Sequence, residues 1–476
     1  MSDSLKQKTL KGTAWSFIDT FSSQGITFLV GLVLARLLTP EEYGLIGIIT
    51  IFIAVFNSIV DSGFSNALIR KNDACDIDYN TVFISNFGLS VLLFAVMYLA
   101  APSIATFFNQ PKLEPLSKIM ASIIIINAFA IIQRTILVKK IDFKTQTKVS
   151  LISSISSGLI GISMAFAGFG VWALVSQQIS RQLLNTIFLW VFAKWFPRLQ
   201  FSIQSFKELF GFGWKLLVSG LIETVWREIY QIVIGKYYNA ATLGQYTRAH
   251  QFASIFSSNL NSVVQRVSYP VLSSIQEDKV RLKSAYKKVI KVTMLVTFVL
   301  MLGLAAVAKP MILVLVGKQW LPCVPFLQII CFNMMLYPLH ALNLNMLQVQ
   351  GRSDLFLRLE ILKKIIGVGP LLLGIFIDIY WMLIGSVFTG IISYYLNAYY
   401  SGPYLKYSIS SFLIALTMSL PVHVLSYLSV SPFILLPIQI IVGLVLFIVI
   451  CEVTHYSEYM ELKQIAFIGI KKINKT

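Results

Sequence analysis

Charged and amide side chains recur at helical spacing inside apolar runs of this chain, and they are its candidates for chemistry. Ser219, Glu223, Arg227 and Gln231 stand four residues apart through the stretch ETVWREIY (223–230), with Glu228 beside them. Asn57, Asp61 and Ser65 repeat in the same way, and Ser16, Asp19, Ser23 and Thr27 share a face near the N-terminus. Gln177, Gln178, Arg181 and Asn185 cluster, and Asn333, Tyr337, His340 and Gln348 form a further row. Residues three and four apart lie on one helix face, so these are polar stripes on apolar helices, the reverse of a soluble amphipathic helix. A guanidinium keeps its charge when buried and presents a flat fork of donors suited to phosphate or carboxylate oxygens. Arg134, Arg181, Arg227 and Arg266 therefore point to an anionic ligand, and Asp19, Asp61, Glu223, Glu228 and His340 are candidates for ion coupling or gating. Trp226 and Tyr230 offer rings for stacking on sugars.

Each of these residues also has a plain structural reading. Glu223 and Arg227 stand in the favourable order for an ion pair within one helix. Arg134 and Arg266 lie near helix ends, where long side chains reach the headgroups. Asp19 and Asp61 can bond helix to helix, and His340 can be a packing histidine. Arg181 sits mid-run with no acid on its own helix, which sets it apart.

The elements that must position these groups follow from composition. The chain has 476 residues, 56% of them hydrophobic and 13% charged, with mean hydropathy +0.75; a soluble domain carries about 25% charged residues. Runs of about 20 apolar residues, enough to cross the hydrocarbon core, recur along its whole length. Fourteen spans are expected, near 12–36, 44–66, 79–101, 115–138, 145–168, 170–193, 211–234, 248–271, 288–308, 321–349, 355–377, 380–400, 408–428 and 432–452. The fold class is therefore an all-α polytopic membrane protein. The basic head MSDSLKQKTLKGT precedes a first run that is too long for a signal peptide and carries Asp19, so it reads as a retained helix.

A charge of +18 invites a nucleic-acid reading, but the placement of the charges opposes it. Across alternate loops, 28 Lys and Arg fall on one side and 7 on the other, the asymmetry of the positive-inside rule with both termini cytoplasmic. The densest run, KVRLKSAYKKVIK (279–291), reads as a topogenic loop on anionic lipid. Cys75, Cys323, Cys331 and Cys451 are scattered without metal spacing and read as small apolar side chains. The four histidines are equally dispersed, and no metal or other cofactor is expected. GFGVWA (168–173) imitates a dinucleotide fingerprint but has no strand before it, so its glycines read as a tight turn.

The two halves look related. GTAW at 12–15 faces GFGW at 211–214, and LLTPEEYGLIG at 37–47 faces AATLGQYTRAH at 240–250, with Gly44 and Gly244 200 positions apart. Six spans separate the copies, which gives them the same orientation. Parallel repeats of this kind build transporters that rock two lobes around a midplane site. The expected division is an N-lobe at 1–200, a C-lobe at 201–405, and two further helices with a tail at 406–476.

LARLLTPEEYGLIGI (34–48), DSGFSNALIRK (61–71) and LGQYTRA (243–249) resemble the polysaccharide exporters called Wzx flippases, of the colanic-acid and teichuronic-acid type within the MATE-like MOP superfamily. The resemblance covers nearly the whole chain, and its motifs mark the subfamily rather than any chemistry. It implies a flippase for undecaprenyl-pyrophosphate-linked sugar repeat units, working by alternating access in the bacterial inner membrane with six, six and two helices. It also implies that arginines of the lobes meet the anionic head group, and that membrane lipids, a polysaccharide polymerase and a chain-length regulator are candidate partners. A drug or cation-coupled exporter of the same superfamily would place acids rather than arginines in its cavity. A lipid II flippase differs only in substrate. A membrane enzyme of polysaccharide assembly would carry a sizeable outer loop, and no outer loop here exceeds roughly 20 residues.

Overall fold

The computed structural model describes residues 3–61, 63–401 and 408–464, without the side chains of 3–14, 16–18, 20, 21, 267, 353 and 408. Ser16, the basic head and the basic end of the tail lie outside the described side chains. Among the described residues there is no strand. The helices are α1 (Asp3–Leu37), α2 (Pro40–Asp61), α3 (Phe64–Arg70), α4 (Asp76–Phe107), α5 (Leu113–Met120), α6 (Ser122–Lys139), α7 (Phe143–Phe166), α8 (Val171–Ala193) and α9 (Ile203–Tyr237). They continue with α10 (Ala240–Ser274), α11 (Lys279–Ala306), α12 (Ala308–Leu315), α13 (Cys323–Met334), α14 (Tyr337–Val349), α15 (Ser353–Phe376), α16 (Ile379–Ser401), α17 (Ser408–Val424) and α18 (Pro432–Val453).

Ten helical stretches among the described residues are long and apolar enough to cross a membrane, fewer than the fourteen expected. The other four expected spans fall on α1, α8, α10 and α15, which are helical and of sufficient length. Polar content sets them apart: α8 carries Gln177, Gln178, Arg181, Gln182 and Asn185, and α15 carries Arg358, Glu360, Lys363 and Lys364. The protein is an all-helical, multi-pass membrane protein.

Helix starts follow local chemistry. Thr39 precedes Pro40, and Thr39 N donates to Glu42 Oε2 at 2.7 Å while Glu42 N donates to Thr39 Oγ1 at 3.4 Å. This is a capping box with proline in the first turn, and it accounts for the string TPEE. Two hundred residues later Asn239 caps α10, accepting from Thr242 N at 2.7 Å. Both copies therefore place a 35-residue helix, a capped break and a second helix in the same register. The turn between α7 and α8 has positive φ at Gly168 and Gly170, the conformation glycine adopts without steric cost. This is the tight turn expected of GFGVWA.

The chain forms two compact units, Met1–Gly244 and Gln245–Thr476. Within the first, α1 packs on α7, α7 on α8, α6 on α8 and α4, and α9 on α2, α3 and α4. Within the second, α11 packs on α17 and α13, α16 on α13, α14 and α15, and α18 on α12 and α17. Cys323, Cys331 and Cys451 are buried as expected of small apolar side chains. Cys75 departs from that reading: it is exposed and its thiol lies 3.4 Å from Asp78 Oδ2 at the start of α4.

Candidate functional site

A row of polar groups runs along α2, α6 and α8 in the first unit. Asn127 Nδ2 donates to Asn57 Oδ1 at 3.1 Å, and Gln182 Nε2 donates to Asn127 Oδ1 at 2.9 Å. This amide chain ties three membrane helices at one level, where each unmade bond would cost several kcal/mol in hydrocarbon. Asp61, one turn along α2 from Asn57, accepts from Ser65 Oγ, which in turn accepts from Thr135 Oγ1 at 3.2 Å. Arg134 interacts electrostatically with Asp61. The arginine thus has an acid on a neighbouring helix.

Arg181 stands beside Gln182 at the level of the amide chain. It is half-buried, and among the described residues no acidic side chain pairs with it. Arg134 stands seven positions beyond Asn127 on α6, about 10 Å along the helix axis. An unpaired guanidinium facing hydrocarbon would cost about 2.5–3.5 kcal/mol. Arg181 is the neighbour in sequence of Gln182, which belongs to the bonded amide chain.

The remaining candidates stand elsewhere. On α9, Arg227 Nε donates to Glu228 Oε1 at 3.0 Å, and Gln231 donates to the other oxygen of Glu228. The Arg227 side chain is 62% exposed and that of Glu228 13%; Glu223 is exposed on the same helix. Asp19 accepts from Ser23 Oγ at 3.1 Å, and Thr27 Oγ1 donates to the Ser23 carbonyl at 2.7 Å, so the α1 stripe bonds within itself. Arg266 is exposed on α10. In the second unit His340 Nδ1 faces Asn397 Nδ2 at 3.2 Å and its ring meets Tyr394 edge-on at 6.1 Å. Three residues on, Asn343 bonds Tyr286 and Ser401.

Sequence reasoning missed Asn127 and Gln182 as the partners that organise this row. The available signal was one amide inside the apolar run IIIINAFAII, since a lone amide at such depth requires a partner on another helix.

The family model "Polysaccharide biosynthesis protein" matches residues 33–325, more than half of the chain. The chain belongs to this family. It is similar to the teichuronic acid biosynthesis protein TuaB of Bacillus subtilis, at 28% identity over 74% of this chain and 73% of that one. It is also similar to the lipopolysaccharide biosynthesis protein WzxC of Escherichia coli, at 24% over 89% and 88%. The succinoglycan biosynthesis transport protein ExoT of Rhizobium meliloti matches at 26% over 70% and 68%. Among solved structures, the lipid II flippase MurJ in an inward closed conformation superposes with a TM-score of 0.75, at 16% identity over 94% of this chain and 99% of that one. An inward-facing multidrug resistance MATE transporter of the MOP superfamily gives 0.58, at 16% identity over 83% and 94%. These two likenesses establish a shared fold. The Wzx-type resemblance of the sequence is borne out by the family model and these relatives.

Proposed function

We propose that this protein is a flippase that moves undecaprenyl-pyrophosphate-linked oligosaccharide repeat units from the cytoplasmic to the outer leaflet of the bacterial inner membrane by alternating access, and is not an enzyme. Three relatives are named for teichuronic acid, lipopolysaccharide and succinoglycan biosynthesis, and one of them as a transport protein. The observation that carries the reading to a site is Arg181, half-buried on a membrane helix without an acidic partner beside a bonded amide chain. Such a group stabilises an anionic head group at depth and has no role for a cation. Arg134, Arg227 and Arg266 are the further anion contacts of this proposal, and Asp19, Asp61, Glu223, Glu228 and His340 its coupling and gating groups. The arrangement that serves it is two parallel six-helix lobes, near 1–200 and 201–405, with two further helices and a tail at 406–476 and both termini in the cytoplasm. Polymerase and chain-length regulator are the partners that would take the product.

Cells lacking the protein test this. They should lose the surface polysaccharide and hold its lipid-linked unit in the cytoplasmic leaflet, with rescue by the native chain. Accumulation of that unit in the outer leaflet would place the defect after translocation and sink the reading.

A further inference from the structure

The string DSGFSNALIRK marks the subfamily, yet the polar row uses only its Asp61 and Ser65. Gly63, Phe64, Arg70 and Lys71 meet the first three turns of α9. Gly63 has φ 70°, and a Cβ there would overlap the Gly213 carbonyl oxygen and stand 3.0 Å from Gly213 Cα. Backbone therefore meets backbone at this point. Phe64 lies 5.8 Å from the Phe206 ring and 6.0 Å from Phe210, and the Arg70 guanidinium sits 4.4 Å from the Phe212 ring centre. Lys71 Nζ lies 3.0 Å from Glu208 and 3.3 Å from Asp78. The Glu208 carboxylate raises the Lys71 ammonium above its ordinary range against the opposing pull of burial, and Asp78 adds to the effect.

We propose that segment 63–71 and the first turns of α9 form a releasable gate on the side of the basic loops, with Lys71 as its switching residue. The proposal rests on the flippase reading, because a gate presupposes a path to close. Its two anionic partners differ in kind. Asp78 is buried at the start of α4 and fixed by Cys75, whose backbone N donates to it at 3.1 Å. Glu208 is 58% exposed on α9. If α9 moves away, Lys71 keeps Asp78, and Glu208 passes into water. No buried charge is stranded by opening, and an exposed ion pair of this type is weak enough to break in each cycle. Cation–π contact between Arg70 and Phe212 is similarly modest at a partly exposed site.

Just ahead of the gate the chain is held differently. Arg198 N donates to Asn80 Oδ1 at 2.8 Å and Ser202 N donates to Thr81 Oγ1 at 3.0 Å. Asn80 and Thr81 are fully buried, so these bonds anchor the linker before α9. One to three turns beyond this anchor lie Glu208, Phe210, Phe212 and Gly213. The geometry is a fixed anchor followed by a contact that can let go, which gives two discrete arrangements of one element.

Spin labels at Asp73→Cys and Lys207→Cys, both exposed positions, test this in proteoliposomes with the native cysteines replaced by serine. Pulsed electron–electron distances should show a short and a longer population. Glu208→Gln should raise the longer one about two- to five-fold, the weight of one exposed ion pair. A single short distance in both proteins overturns the gate. Lipid-linked sugar flipping by the same proteins is read separately. Two distances without flipping keep the gate and remove the flippase reading; one distance with flipping removes the gate and keeps the flippase.

Discussion

Gly44 and Gly244 meet at the first turns of α2 and α10. A Cβ built on Gly244 would stand 3.1 Å from Gly44 N and overlap the Pro40 carbonyl oxygen, and one built on Gly44 would overlap the Ala240 carbonyl oxygen. The two residues occupy matching places in the two repeats, each at the fifth residue of its helix. Close helix approach through small residues is how membrane helices associate where no hydrophobic drive separates them from lipid.

Alanine at either glycine is expected to destabilise the protein by about 1–3 kcal/mol, the cost of overpacking, because the obstructing atoms are backbone and cannot turn aside. Thermal unfolding in detergent checks this against Gly25→Ala. Gly25 has nothing within 4 Å of its would-be Cβ, and alanine there is expected to be neutral or stabilising by up to about 1 kcal/mol.

Asn127→Leu removes the middle of the amide chain and leaves Asn57 Oδ1 and Gln182 Nε2 without the partners they have now. A loss of about 1–3 kcal/mol is expected, the penalty for stranded polar groups. The triple replacement Asn57→Leu, Asn127→Leu, Gln182→Leu is expected to recover part of it, since no stranded group of that chain then remains. Equal melting of the single and triple variants would show that the chain is not the source of the cost.

Glu458 ties the segment after α18 to α11. Lys291 Nζ bonds it at 2.5 Å and Ser457 Oγ at 2.8 Å, while Tyr456 Oη bonds Ser411 Oγ at 2.8 Å. Burial works to raise the Glu458 carboxyl, but the bonds from Lys291 and Ser457 outweigh it and hold the group below the usual glutamate range. A depressed carboxylate contributes stability above its unfolded pKa of about 4.3, and the contribution fades as pH falls through the folded value. Glu458→Gln is expected to melt lower than the native protein at pH 7 and to converge with it as pH falls through the depressed folded value. A melting difference that persists in acid would place its origin in packing instead.

Much of this was legible in the sequence. Hydropathy marked the helices because lipid demands long apolar runs, and the repeat was visible in Gly44 and Gly244, where backbone approach fixes the residue type. The polar stripes were legible as well, since a period of 3.6 fixes which residues of one helix share a face. Partners on other helices were not. Asn127 finds Asn57 across 70 positions and Lys71 finds Glu208 across 137, and no period within one helix encodes such pairings. Arg134 shows the difference most clearly: position alone suggested a headgroup anchor, whereas Asp61 supplies the neighbouring charge.

Leaflet flipping in proteoliposomes tests the central claim most directly. Fluorescent undecaprenyl-pyrophosphate oligosaccharide is loaded, and its accessibility to a membrane-impermeant quencher is followed for the native protein, Arg181→Lys and Arg181→Ala. Loss of a charge-assisted contact of about 1.5–3 kcal/mol predicts flipping slowed about 10- to 100-fold in Arg181→Ala, partly retained in Arg181→Lys, with no loss of thermal stability in either. Flipping by Arg181→Ala at the native rate would contradict the arginine site, and native protein that flips no lipid-linked sugar would contradict the flippase itself.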